Sequence, residues 1–157
     1  MYLGRNYRLR VVEAADAAPA FLDRGWLLVR VERGVSAKER AGAVRAGLVA
    51  WYRPRAEAQP CERVARWGER LHVRPRDVLV RNPQRRWGSC DPAGTLRFGW
   101  RIIQASPALV DYVVAHELVH LLHRGHPPRF WAALGRVMPE YEALRARLLT
   151  LGPSLTW

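Results

Sequence analysis

Asp111-Tyr112-Val113-Val114-Ala115-His116-Glu117-Leu118-Val119-His120, followed at Gly125-His126 by a further imidazole, is the stretch whose reading decides this chain. Side chains four apart on an α-helix lie on one face, so His116 and His120 can point their rings at a single cation. Glu117 sits one step round, where its carboxylate reaches a metal-held water without being a ligand, the position of a general base. A hydrolytic zinc has three protein ligands and keeps a fourth position for that water. Two helical histidines therefore leave the set one short, and His123 and His126 compete for the vacancy. On a continuing helix His123 would lie about 10 Å along the axis from His116, at a rise of roughly 1.5 Å per residue, too far to share one ion. His126 follows Gly125, which can adopt the left-handed conformation that turns a chain back. His126 is the expected third ligand; His123 is expected to support a ligand, face substrate or be solvated.

The surroundings favour this reading over a chance HExxH string. Ser106-Pro107 is a helix start, with a capping hydroxyl and a proline at the first helical position, and the helix is predicted to run past His120. Val114, Leu118, Leu121 and Leu122 form an apolar stripe away from the two histidines. Packing thus accounts for the aliphatic residues and leaves the imidazoles unexplained. Four of the five histidines of the chain fall between residues 116 and 126. A zinc-dependent peptidase is the leading expectation. The oxyanion of its reaction needs a donor besides the metal, and Tyr112, Arg85, Arg86 and His123 are unranked candidates.

Taken together, Arg86-Trp87-Gly88-Ser89-Cys90, Phe98-Gly99-Trp100, the stretch 111–120, Gly125-His126 and Phe130-Trp131 resemble the YgjP-like metallopeptidase family, related to the SprT-like and WLM peptidases of zincin type. The resemblance implies a zincin-like fold, Zn²⁺ bound by His116, His120 and His126, Glu117 as catalytic base, and a peptide or protein substrate. It also suggests a role for Trp87, Gly88 and Ser89. Residues 85–89 and 95–103 flank Asp91-Pro92-Ala93-Gly94, which suits a turn, so a β-hairpin is predicted there. In zincins an edge strand beside the active-site helix takes an extended peptide as an added strand, and Gly88 would let a substrate backbone come close. Alternatively Trp87 and Trp100 are core aromatics and Gly88 a bulge. Cys90 reads as a small buried thiol, and Phe130-Trp131 as a plug holding the ligand loop rather than a substrate pocket. Met138 reads as core and His72 as a surface or packing residue.

The chain has 157 residues, 49% of them hydrophobic, which fits one domain over 1–157 with a strand and helix part at 1–75 and a catalytic part at 76–157. No apolar run approaches a membrane span and the first residues lack a signal-peptide core, so a cytoplasmic protein is expected. The two cysteines, Cys61 and Cys90, are too few for a disulfide framework. The net charge is +12 and Lys38 is the one lysine. Such an excess attracts nucleic acid, although abundant Ala and Arg with little Lys also follows from GC-rich coding. A function of a different class is therefore a basic nucleic-acid-associated module with a structural or vestigial zinc.

The order of elements predicts an α+β fold with N-terminal antiparallel strands and helices, a small sheet with a hairpin packed on the metal helix, and C-terminal helices. Tyr7, Leu9 and Val11 alternate with polar residues, as do Leu27, Val29 and Val31, with Asp23-Arg24-Gly25 as the intervening turn. Ser36 and Glu39 form a capping box for a helix that Pro54 should end, followed by a loop over 53–59, a second helix over 60–71, and a strand at 78–80. After His126, Pro127-Pro128 open a helix carrying Phe130, Trp131, Leu134 and Val137 behind the site. A last helical period runs through Tyr141, Leu144 and Leu148 to Gly152-Pro153.

Overall fold

The computed structural model describes residues 1–15, 19–81, 86–151 and 155. Strands β1 (Arg8–Ala14), β2 (Phe21–Asp23) and β3 (Trp26–Glu32) precede a long helix, α1 (Ala37–Leu71). Strands β4 (Asp77–Arg81), β5 (Gly88–Cys90) and β6 (Thr95–Gly99) follow, then a 3-10 turn at Trp100–Gln104 and helices α2 (Pro107–Val119), α3 (Pro128–Val137) and α4 (Tyr141–Leu151). The α+β order is as the periodicities predict, and no helix among the described residues is long and apolar enough to cross a membrane.

Each sheet has three strands and is mixed: β1-β3-β2 in the first, β4-β6-β5 in the second. In the first sheet β2 and β3 are antiparallel, but β1 runs parallel to β3, with Val11 opposite Val29. The N-terminal strands are thus only partly antiparallel, which corrects the expectation. The turn at Asp23-Arg24-Gly25 joins β3 to the short β2, not to β1; Arg24 and Gly25 both have positive φ, 43° and 86°, as a type I′ hairpin turn requires. Alternation reports which face is buried and is blind to strand direction, and a three-residue β2 is too short to show a period of its own. The predicted hairpin of the second sheet is present as β5 and β6, paired antiparallel with Ser89 opposite Arg97. Its proposed start at Arg85 lies outside the described residues, as does the predicted stop at Gly152-Pro153.

The second correction concerns α1. Its start is the predicted capping box, Ser36 Oγ accepting from Glu39 N and Glu39 Oε2 accepting from Ser36 N. It then runs unbroken through Pro54 and Pro60, across the predicted loop. An internal proline removes one backbone hydrogen bond and costs about 3 kcal/mol. What offsets this is one buried stripe at four-residue intervals, Tyr52, Ala56, Pro60, Val64 and Gly68, flanked by Trp51, Trp67 and Leu71. A break at either proline would pull this stripe off two cores at once.

Those cores lie on either side of α1's length. Leu27, Val29 and Val31 of β3 pack with Trp51, Tyr52, Ala56 and Ile103. Val64, Trp67 and Leu71 instead join Leu96, Phe98, most of α2, Phe130, Leu134, Met138, Leu144 and Leu148. The C-terminal half of α1 therefore belongs to the packing around α2. A polar clamp fixes that contact: Asp111 Oδ1 accepts from Arg66 Nη2 at 2.5 Å and from Trp67 Nε1 at 3.1 Å, with Arg63 Nε also 3.1 Å away.

Candidate active site

Helix α2 is buried on most of its faces, with Leu109, Val110, Val113, Val114, Ala115, Leu118 and Val119 all in the core. It begins at Ser106-Pro107, but the Ser106 hydroxyl makes no capping bond and is buried without a partner. Its carbonyl instead accepts from Leu109 N and Val110 N. The helix also ends earlier than predicted: Val119 is its last residue and His120 its C-cap. Leu122, placed on the inward stripe by periodicity, is 47% exposed because the helix has already ended. The chain then turns, with Gly125 at φ +66°, in the left-handed region its sequence position suggested.

The early end of the helix brings the imidazoles together. His116, His120 and His126 are the group of residues able to hold a metal ion among those described, their ligand atoms all within 4.8 Å of one another. His116 Nε2 and His126 Nε2 are 3.0 Å apart. His120 Nδ1 lies 3.2 Å from the backbone carbonyl of His123; donating there, it leaves Nε2 with a free lone pair. His123 thus bears on the site through its main chain, and its half-buried ring is not part of the cluster. Burial, with His120, His126 and Arg145 adding to it, pushes His116 down to about 3. Burial likewise lowers His120, against the His123 contact. Three imidazoles with their ligand atoms within 4.8 Å of one another, two of them half-buried, are a nitrogen donor set that fits a divalent metal of zinc type.

Glu117 is 6% exposed, and burial pushes its carboxyl up to about 7, with Arg86 pulling the other way. A carboxyl of that acidity can both take a proton and give it back near neutrality. Its side chain lies against β5: a Cβ at Gly88 would meet Glu117 Cγ at 2.7 Å and Oε1 at 2.8 Å. Gly88 therefore admits the carboxylate, a close approach that the sequence suggested for a substrate backbone. Gly88→Ala is expected to displace Glu117 and lower turnover by about tenfold or more, since small misplacements of a reacting group are costly, while metal content stays unchanged. Steady-state kinetics beside elemental analysis checks this.

A cleft of about 690 Å³ opens over these groups, lined by the three histidines, Glu117, β5, the hairpin turn and the loop carrying Arg124. Gly88 and Ser89 line it, whereas Trp87 packs against the core and its carbonyl accepts from Gly99 N at 2.9 Å. Cys90 is half-buried at the cleft, its thiol pushed up by burial and then by Glu117 and Asp91, and it is not in the metal-binding group. Trp100 packs against the N-terminal core. Of the possible oxyanion donors, Tyr112 is buried with its ring 5.8 Å from that of His116, Arg86 is exposed in the cleft, and Arg85 lies outside the described residues.

The floor of the site is Phe130, fully buried, with its ring 4.6, 4.8 and 4.9 Å from those of His120, His126 and His116. Trp131 stacks on the exposed His126 at 5.4 Å and 22° and, through its other contacts, on Tyr141 at 5.5 Å and 18°. Both aromatics hold the loop that carries His126, as the sequence suggests. The Asp111 clamp was not foreseen. Its signal is a second acid, besides Glu117, on an apolar helix, with Arg63 and Arg66 one turn apart on α1.

The fold is similar to two solved structures. One is the metallopeptidase zymogen abylysin of Pyrococcus abyssi, with TM-score 0.53 and 20% identity over 58% of this chain and 92% of that one. The other is the metallopeptidase zymogen jannalysin of Methanocaldococcus jannaschii, with TM-score 0.53 and 16% identity over 60% and 90%. At such identities the likeness is one of fold, in keeping with the zincin-like α+β architecture expected. Among curated proteins no sequence match is found. The family model described as "YgjP-like, metallopeptidase domain" matches residues 1–150, and with nearly its whole length covered, the chain belongs to the YgjP-like metallopeptidase family.

Proposed function

We propose that this protein is a zinc-dependent peptidase in which His116, His120 and His126 hold Zn²⁺ and Glu117 is the general base. The observation that carries the reading is the convergence of three imidazoles beside one buried carboxyl in an open cleft. Zinc bound there supplies Lewis acidity, making water a nucleophile at neutral pH and polarising a carbonyl. Glu117 takes a proton from the attacking water on its carboxylate oxygen and passes it to the departing amine nitrogen. The main chain of Gly88 and Ser89, on the edge strand of the β4-β6-β5 sheet, pairs with an extended peptide, and Trp87 anchors that strand in the core. Tyr112, with its ring 5.8 Å from that of His116, is the residue assigned to assist the oxyanion.

The competing function, a basic nucleic-acid module with a structural zinc, needs a fourth protein ligand to close the coordination sphere. Among the described residues the metal-binding group contains three histidines and nothing else, which favours a catalytic site. The test is removal and return of the metal. Chelation is expected to abolish cleavage of an unfolded protein substrate, and stoichiometric Zn²⁺ to restore it, followed by gel assay and by metal analysis of the same samples. Cleavage that persists in metal-free protein would refute the reading.

A further inference from the structure

We infer that the cleft selects peptides with acidic side chains on both sides of the bond presented to Glu117, Arg86 recognising one side and Arg124 the other. The inference rests on the peptidase reading above and names its substrate class. Both arginines line the cleft and are exposed, and among the described residues no ion pair is formed by either. Their placement follows from β5. Gly88 touches Glu117, Arg86 stands two residues before it, and Arg124 reaches the turn at the far end of the strand, its Nη2 3.4 Å from Pro92 O. Extended chain advances about 3.3 Å per residue. A peptide lying along β5 thus meets Arg86 about two residues from the reacting bond and Arg124 on the other side, beyond Cys90, where the strand gives way to the turn.

Of the two acids in the cleft, Asp91 is already engaged, and Glu117, although it feels Arg86, forms no ion pair with it. Asp91 Oδ1 accepts from Ala93 N and Thr95 N, each at 2.9 Å, and Oδ2 accepts from Arg97 Nη1 at 2.7 Å. Glu117 is buried at the reacting centre. A lysine or arginine on the substrate would meet an unpaired guanidinium at either end, while a glutamate or aspartate would pair with it. Exposed pairs are individually weak and screened by salt, so the selection is a matter of two such pairs acting together rather than of one.

The test measures binding separately from cleavage. Zinc-loaded full-length Glu117→Gln protein is titrated into three labelled peptides of equal length, bearing Glu, Lys or Ala at the two flanking regions, and fluorescence anisotropy is read at low ionic strength. The Glu peptide is expected to bind about tenfold or more tightly than the Lys peptide, given two pairs each replaced by a repulsion. Arg86→Glu and Arg124→Glu are each expected to weaken the preference for the Glu peptide over the Lys peptide, and the double variant to remove it. Arg45→Glu makes the same change in net charge on an exposed position of α1 and is expected to leave the preference intact. Equal binding of the three peptides overturns the inference, as does an Arg45→Glu effect as large as that of Arg124→Glu, which would assign the attraction to the protein's overall charge. Wild-type protein that binds the Glu peptide preferentially yet cuts no peptide supports the charge selection and sinks the peptidase reading instead.

Discussion

Glu117→Gln is expected to lower peptide hydrolysis by a factor of about 10²–10⁴, the usual contribution of a positioned acid–base group, while zinc content remains that of the wild type. Glutamine keeps the shape of the side chain against Gly88, where the fit leaves no room even for a methyl group. The three imidazoles, their burial and the His120–His123 contact are untouched by the change. What is lost is the ability to take a proton from the nucleophile and return it to the amine. The measurement pairs steady-state cleavage with metal analysis on the same preparation. Undiminished activity would remove Glu117 from the chemistry, and loss of zinc together with activity would mean that it holds the metal rather than the proton.

Phe130→Ala is expected to cost about 3–5 kcal/mol, the range for truncating a fully buried phenylalanine, against a total stability of about 5–15 kcal/mol for a domain. The ring is 0% exposed and lies within 4.9 Å of all three imidazole rings. Its removal therefore opens a cavity directly under the three imidazoles and loosens His126, which is left with its stack on Trp131 and its contacts with His116 and His120. Zinc affinity is expected to fall with stability, by about 10–100-fold, as it does when groups that orient metal ligands are lost. Denaturant unfolding of the metal-free protein gives the first number and competition with a chromogenic chelator the second. A variant that unfolds at the wild-type denaturant concentration would contradict the packing described.

Much of the site is legible in the residues because its chemistry is local. The four-residue spacing of His116 and His120, the carboxylate between them and the glycine before His126 follow from helix geometry and from the conformational freedom of Gly125, and the structure brings the three rings together. The capping box of α1 and the β5–β6 hairpin are equally local and were equally readable. Where several residues of distant sequence cooperate, local spacing says less. Gly88 looked like a place for a substrate to approach, and it is where Glu117 itself passes. Phe130 reads as one half of a plug, and it is the common floor of the three imidazoles. Asp111 carried no visible role until Arg63, Arg66 and Trp67 of α1 were set beside it.

The sequence alone therefore determined which residues make up the candidate site, their order along the chain and the α+β class, since side-chain spacing, caps and turns act over a few residues and their physics does not depend on what lies elsewhere. Tertiary structure alone decided the direction of β1 against β3, the continuity of α1 through Pro54 and Pro60, and the end of α2 at Val119. In each of these the local preference was either silent or outweighed. Alternation is the same for both strand directions, a stripe buried in two cores offsets the loss at each proline, and early termination of α2 is what lets the chain fold back and carry His126 to His116.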